Sequence, residues 1–191
     1  MSLAIPATTA LFTPRLHLRP YVPADAPAFF GLLNQHRSRL RQAFPDRTNT
    51  VYDLAAAARA LAGFARDWQT GRFYVFGIWQ QETGPYLGDI CLMPKLDGSA
   101  EIGYYLAPEA EGHGYAREAL AALVGFGFDA VGAQRLVIRC YENNPRAHAV
   151  ARAAGFRVWK TTPTPRRHWW SGTAPIEPTI LHFALERGGR A

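Results

Sequence analysis

An α+β domain is the fold class this sequence predicts, on three observations. Three strand-like runs, at 73–79, 86–93 and 100–106, follow one another with turn signals between them, the pattern of an antiparallel meander. Two long helical patterns, 52–68 and 116–130, flank that meander. A glycine-containing turn, Glu111-Gly112-His113-Gly114-Tyr115-Ala116, joins the last of these strands to the second helix. With 191 residues, 48% of them hydrophobic, the chain can form one domain over 1–191 around a substantial core.

Residues 1–13 read as a loose lead-in. Arg15-Leu16-His17-Leu18-Arg19 alternates polar and apolar side chains, as a half-buried strand does. Pro23-Ala24-Asp25 starts a helix, with Asp25 placed to cap the amides of Ala26 to Ala28. A further helical piece covers 37–43, and Phe44-Pro45 ends it. In 52–68, Leu54, Ala57, Leu61, Phe64 and Trp68 recur at helical spacing, and Gly71 stops the helix. Aromatic and β-branched residues make 73–79 a strand. Gly84-Pro85 turns the chain into the next, and Asp97-Gly98 is a hairpin signal leading to the third. After the main helix come a strand at 135–140, a helix at 145–154 ended by Gly155, and closing strands at 156–160 and 179–185. Between the closing strands lies a loop rich in Pro and Trp, 161–178.

The glycine turn carries the functional reading. Small residues at 112, 114 and 116 let a backbone approach a ligand closely. The helix that follows points its unpaired N–H groups and positive dipole end into the turn. Together they make an anion site suited to a pyrophosphate. A dinucleotide fingerprint is disfavoured because position 117 is Arg, and a P-loop is excluded because no Gly-Lys-Ser/Thr follows. A second pair, Gly125-Phe126-Gly127, lies inside the helical pattern and reads as packing against a neighbour.

Composition narrows the class. The formal charge is +6, but Lys and Arg are scattered, so a nucleic-acid partner is disfavoured. Cys91 and Cys140 both sit in apolar runs and fit buried thiols in a reducing compartment, which reads as cytoplasmic. No signal peptide, membrane-spanning run or metal-ligand spacing is found, so no membrane partner and no metal are expected.

Three blocks resemble the Gcn5-related N-acetyltransferase (GNAT) superfamily, in its RimJ/RimL-like ribosomal-protein N-terminal acetyltransferase branch. They are Thr13-Pro14-Arg15-Leu16-His17-Leu18-Arg19-Pro20; Glu101-Ile102-Gly103-Tyr104-Tyr105-Leu106 with the glycine turn; and Asn143-Asn144-Pro145-Arg146-Ala147 with Gly155-Phe156. The stretch Arg39-Leu40-Arg41-Gln42-Ala43-Phe44-Pro45 is similar to the segment before that branch's substrate site. The resemblance implies a GNAT fold: a mixed, mostly antiparallel central sheet flanked by helices, with the 100–106 and 135–140 strands parallel but splayed. It implies acetyl-CoA as cosubstrate, wedged between those strands, with the pyrophosphate on the amides of Gly112, His113, Gly114, Tyr115 and Ala116. Asn144 resembles the residue that bonds the pantetheine arm, and it also reads as the N-cap of a helix with Pro145 at its first position.

Acetyl transfer to an amine needs a proton acceptor, a polarised thioester carbonyl and a leaving thiolate. A backbone N–H at Tyr105 or Leu106 is the candidate oxyanion donor. Glu101 is the candidate general base through a water, against the alternative of a surface carboxylate at a hairpin end; Asp89 is a second candidate. The family's two acid positions hold Ala147 and Ala151, so no leaving-group acid carries over, and His148 and Tyr141 read as packing or surface residues. Glu111 stands where the family usually has Gln or Arg, and a carboxylate beside a pyrophosphate is repulsive. Phe44, Tyr104, Trp169 and Trp170 are candidates to line the acceptor pocket, with Arg166 and Arg167 available to an acidic group. The expected acceptor is a primary amine, a protein N-terminus first and a small-molecule amine second. A non-catalytic acyl-CoA-binding module is the remaining alternative, and a homodimer is the assembly common in the branch.

Overall fold

The computed structural model describes residues 5–41, 43–81, 84–163 and 179–188. Its strands are β1 (Leu11–Phe12), β2 (Leu16–Arg19), β3 (Tyr74–Gln80), β4 (Tyr86–Pro94), β5 (Ser99–Leu106), β6 (Arg135–Tyr141), β7 (Arg157–Thr162) and β8 (Ile180–Glu186). They form one eight-stranded sheet in the order β1-β2-β3-β4-β5-β6-β8-β7. Every neighbouring pair is antiparallel except β5 with β6, which is parallel.

The helices are α1 (Ala26–Gln35), α2 (Arg37–Leu40), α3 (Pro45–Thr50), α4 (Leu54–Gln69), α5 (Tyr115–Gly125) and α6 (Pro145–Ala153). Alternation along the strands sends side chains to two faces, and each face has its own core. Leu16, Leu18, Phe76, Ile78, Ile90, Leu92 and Ile102 pack with Leu120, Leu123 and Phe126 on the α5 and α6 side. Val75, Trp79, Cys91 and Tyr105 pack with Phe29, Leu33, Leu40 and Leu61 on the α1 to α4 side.

Local chemistry explains most boundaries. Asp53 Oδ1 accepts from Ala56 N at 2.6 Å and caps α4. Asn144 Oδ1 accepts from Ala147 N at 3.1 Å, which with Pro145 starts α6. α5 runs on as a five-residue π-helical segment, Phe126–Ala130, where Phe126 lies edge-on to Tyr74 and Phe76.

Four expectations need correction. The lead-in is tied down: Leu11–Phe12 pairs with β2, and Trp68 Nε1 donates to the Ile5 carbonyl at 3.1 Å. Asp25 does not cap α1; its carboxylate accepts from Val22 N at 2.7 Å and pairs with Arg19. Pro45 begins a helix, α3, because proline at the first helical position gives up an N–H that has no partner there anyway. The Gly125/Gly127 pair divides: a Cβ at Gly127 would lie 2.8 Å from Leu136 and Leu92, whereas Gly125 faces open space.

Candidate active site

The site is made by a pairing that stops. β5 and β6 are in register from Ser99 with Arg135 to Ile102 with Ile138, and there the ladder ends. Gly103–Leu106 on one side and Arg139–Tyr141 on the other continue without pairing, so the strands part toward their C-terminal ends. A parallel pair that splays apart is what the resemblance implied; the rung at which it parts comes from the structure.

The N–H groups that face the opening follow from register. Ala107 N donates to Leu87 O at 2.8 Å, toward β4. Successive N–H groups of a strand point in opposite in-sheet directions. Tyr105 N–H is therefore turned to β4, and the N–H groups of Tyr104 and Leu106 are turned to the gap. Of the two oxyanion donors expected from the sequence, Leu106 has the required direction and Tyr105 does not. Tyr104, weighed only as an acceptor-pocket side chain, adds a second gap-facing N–H. Nothing in composition could show this, because it depends on which strand flanks each edge.

Beyond the gap, the chain makes a single turn of 3-10 helix at Pro108–Ala110 and enters the glycine turn. Gly112 and Gly114 have φ of 80° and 82°, the left-handed region that glycine adopts without strain, and Gly114 is the N-cap of α5. Among the described residues, no loop or cap hydrogen bond takes up the N–H groups of Gly112, His113, Gly114, Tyr115 or Ala116. Their donors stay available to an anion, and the dipole of α5 adds to them. Arg15 fixes the turn from below. Its Nη1 donates to His113 O at 2.9 Å, its Nε and backbone N each donate to Glu118 at 2.8 Å, and its guanidinium lies 4.7 Å from the Tyr115 ring centroid. The Tyr115 side chain is buried, and His113 is exposed and stacked on it.

The two faces of the gap differ. On the α1 to α4 side stand Tyr105 and Phe44, the latter lying edge-on to Tyr105 at 5.1 Å, and Glu101 is on the same sheet face one rung before the ladder ends. Arg139 puts both Nε and Nη2 on Glu101 Oε1, at 2.7 and 2.6 Å, and Lys95 Nζ is 3.6 Å from Oε2. Glu101 is thus an ion-paired carboxylate whose Oε2, among the described residues, has only the more distant Lys95 beside it. On the α5 and α6 side, Tyr104 and Cys140 follow the last paired rung. Burial pushes the Cys140 thiol up to about 11, so it is not a thiolate at neutral pH. The structure brings Phe44 to Tyr105 and Gly103 but packs the Tyr104 side chain with the core on the opposite face. Trp169, Trp170, Arg166 and Arg167 lie outside the described residues. Asn144 is confirmed as a helix cap, and His148 Nε2 bonds the Tyr141 carbonyl at 3.0 Å.

Under Phe44 lies a buried polar cluster that the sequence did not reveal. Asp89, fully buried, is ion-paired with Arg47 of α3 and accepts from Tyr21 Oη at 3.2 Å; Tyr21 Oη is 2.6 Å from Tyr86 Oη. Burial, reinforced by Tyr86, holds the Tyr105 phenol well above its ordinary value. Asp89, the second base candidate, is therefore enclosed in an ion pair and out of reach of an acceptor arriving from solvent. The available signal was a carboxylate inside the apolar run 86–93, which calls for a buried cation without saying which one.

The described residues contain no helix long and apolar enough to cross a membrane, and no group of His, Cys, Asp and Glu that could hold a metal ion.

A sheet whose one parallel pair parts ahead of an amide nest is the arrangement that the resemblance to the GNAT superfamily implied, and the comparisons agree with that family. The family model described as an acetyltransferase (GNAT) domain matches residues 15–157, and the chain belongs to that family. It is an N-acetyltransferase with acetyl-CoA as cosubstrate. Among curated proteins, the uncharacterized N-acetyltransferase YoaA of Bacillus subtilis (strain 168) is 26% identical over 185 residues, covering 93% of this chain and 97% of YoaA. Among solved structures, RimL, a ribosomal L7/L12 alpha-N-protein acetyltransferase in complex with coenzyme A, has the same fold at a TM-score of 0.79 and 21% identity, covering 93% of this chain and 98% of RimL. Mycobacterium smegmatis RimJ in complex with CoA-disulfide aligns at a TM-score of 0.77 and 21% identity, covering 94% of this chain and 87% of RimJ.

Proposed function

We propose that the chain acetylates a protein N-terminal amine that reaches the gap from the face carrying Glu101, Phe44 and Tyr105. The observation that carries this reading is the end of the β5–β6 ladder at Ile102 and Ile138, which frees a strand edge and one approach on each face. The likeness to RimL, a ribosomal L7/L12 alpha-N-protein acetyltransferase, favours a protein N-terminus over a small amine. The second reading, a small primary amine, uses the same face and the same groups.

In this reading the N–H groups of Tyr104 and Leu106 supply the hydrogen bonds along the gap, one of them to the thioester oxygen as negative charge develops on it. The amides of 112–116 orient the diphosphate end. The Glu101 oxygen left free by Arg139 takes the amine proton through a water. With Ala147 and Ala151 at the family's acid positions, the leaving thiolate takes its proton from solvent or from the attacking amine. Two free thiols fit a cytoplasmic protein. Among the described residues β7 is an edge strand of the sheet, with Val158 and Trp159 exposed, and it is the edge a homodimer would use.

Thiol release from acetyl-CoA with a panel of peptides and small amines tests the assignment. Turnover with peptides and not with small amines is the expected result; the reverse selects the second reading. Glu101→Gln is expected to lower kcat by about a hundredfold, with the loss of rate at low pH removed from the profile, as for deletion of a general base. An unchanged pH–rate profile removes Glu101 from that role.

A further inference from the structure

Glu111 is the residue that sits least well with a diphosphate site, and the structure shows what occupies it. Its two carboxylate oxygens hold one arginine each. Oε1 takes Arg39 Nη2, and Oε2 takes Arg146 Nη1 at 2.7 Å. These arginines come from opposite sides of the molecule. Arg39 is on α2, over the acceptor face, and Arg146 is in the first turn of α6, which follows β6. Glu111 itself follows β5 and immediately precedes Gly112 of the amide nest. The three residues thus join both lips of the gap and both faces of the sheet at its open end.

Charge counting gives the bridge a purpose. Two guanidiniums share one carboxylate, so the bridge carries an excess positive charge next to a helix N-terminus that is itself electropositive. The Arg146 side chain is 81% exposed and that of Arg39 47%, and among the described residues neither makes a second side-chain bond. Each keeps N–H donors in a fork that suits a phosphate as well as a carboxylate. An anion on the 112–116 amides lies one residue from the Glu111 carboxylate and within the same electrostatic neighbourhood as both arginines.

We propose that Glu111 is an internal stand-in for the cofactor's diphosphate. It holds Arg39 and Arg146 across the open gap and is displaced from at least one of them when the diphosphate settles on the nest. Arg39 and Arg146 are then diphosphate-binding residues, and Glu111 is a competitor that weakens binding and makes release easier. The inference rests on the acetyl-CoA reading of the site and names residues beyond the amide nest.

The test is calorimetric titration of the full chain, freed of bound nucleotide, with CoA, dephospho-CoA and pantetheine at low ionic strength. The wild-type protein must bind CoA; if it does not, the acetyl-CoA reading fails and the proposal with it. Glu111→Gln is expected to bind CoA and dephospho-CoA about fivefold more tightly, because removing the carboxylate charge frees two charge-assisted donors, with pantetheine unchanged. Arg146→Gln is expected to weaken both phosphate-bearing ligands about tenfold, the order of one charge-assisted hydrogen bond. In the double variant the gain from Glu111→Gln should shrink. Equal or weaker CoA binding by a folded Glu111→Gln protein, or a gain that extends to pantetheine, overturns the proposal. A gain lost with dephospho-CoA assigns the arginines to the 3′-phosphate and also overturns it. Should Glu111→Gln not fold, Arg146→Gln decides: a loss confined to phosphate-bearing ligands supports the bridge, and no loss refutes it.

Discussion

Replacing Gly88 by alanine is expected to destabilise the protein by roughly 3 to 5 kcal/mol, from backbone strain and overpacking together, and to abolish coenzyme A binding in whatever remains folded. Gly88 has φ of +149°, a backbone state that L side chains rarely adopt. An added Cβ would overlap the Tyr105 carbonyl oxygen and come within 2.9 Å of Leu106 Cα. Both of those residues are backbone of β5, so no side chain can move aside. Strand β4 must withdraw from β5 where Tyr104 to Leu106 line the gap, and the direction of the Leu106 N–H is lost. Thermal unfolding and a coenzyme A titration check this. A variant with unchanged Tm and affinity would mean that β4 does not fix the gap edge.

Asp89→Ala is the second large effect. Asp89 is fully buried, and Arg47, also buried, faces it from α3. Removing one member of a buried ion pair leaves the other charge uncompensated, which destabilises by about 3 to 5 kcal/mol. Paired removal with apolar replacements, Arg47→Met with Asp89→Leu, should recover most of the loss, because neither charge is then stranded. Urea unfolding of the three proteins measures both outcomes. The consequence for activity passes through Phe44. It precedes α3 and lies edge-on to Tyr105, so freeing Arg47 loosens one wall of the proposed acceptor face before it touches the cofactor side. A loss of stability below about 1 kcal/mol for Asp89→Ala would show that the pair is solvated in solution.

What the sequence revealed, and what it hid, divides by range of interaction. The meander was readable because Gly84-Pro85 and Asp97-Gly98 specify turns within a few residues of the strands they join. The amide nest was readable because glycines at 112 and 114 and the apolar helix after them are contiguous. The parting of β5 and β6 was reached only through resemblance, since no local pattern says where a parallel ladder stops. α3 is hidden in the sequence because Phe44-Pro45 reads as a stop, whereas proline serves equally as a first helical residue. Asp25 looked like a cap until Arg19, six residues earlier, claimed its carboxylate. The features joined only by the fold were not readable at all. Arg47 and Asp89 are 42 residues apart, Arg15 and Glu118 are 103 apart, and the two partners of Glu111 lie 72 residues before it and 35 after it. Glu111 itself stands out in the sequence as a carboxylate beside an anion site. Its arginines, which turn a repulsive carboxylate into a bridge, come from two helices that only the folded chain brings together.

Amide hydrogen exchange with and without saturating coenzyme A tests the central claim most directly. If the parted strands take up the pantetheine arm and the nest takes up the diphosphate, then the N–H groups of Tyr104, Leu106 and Gly112 to Ala116 become protected together, while that of Tyr105, already turned to β4, changes little. Coenzyme A that leaves the 104, 106 and 112–116 amides exchanging as fast as in the free protein would contradict the account.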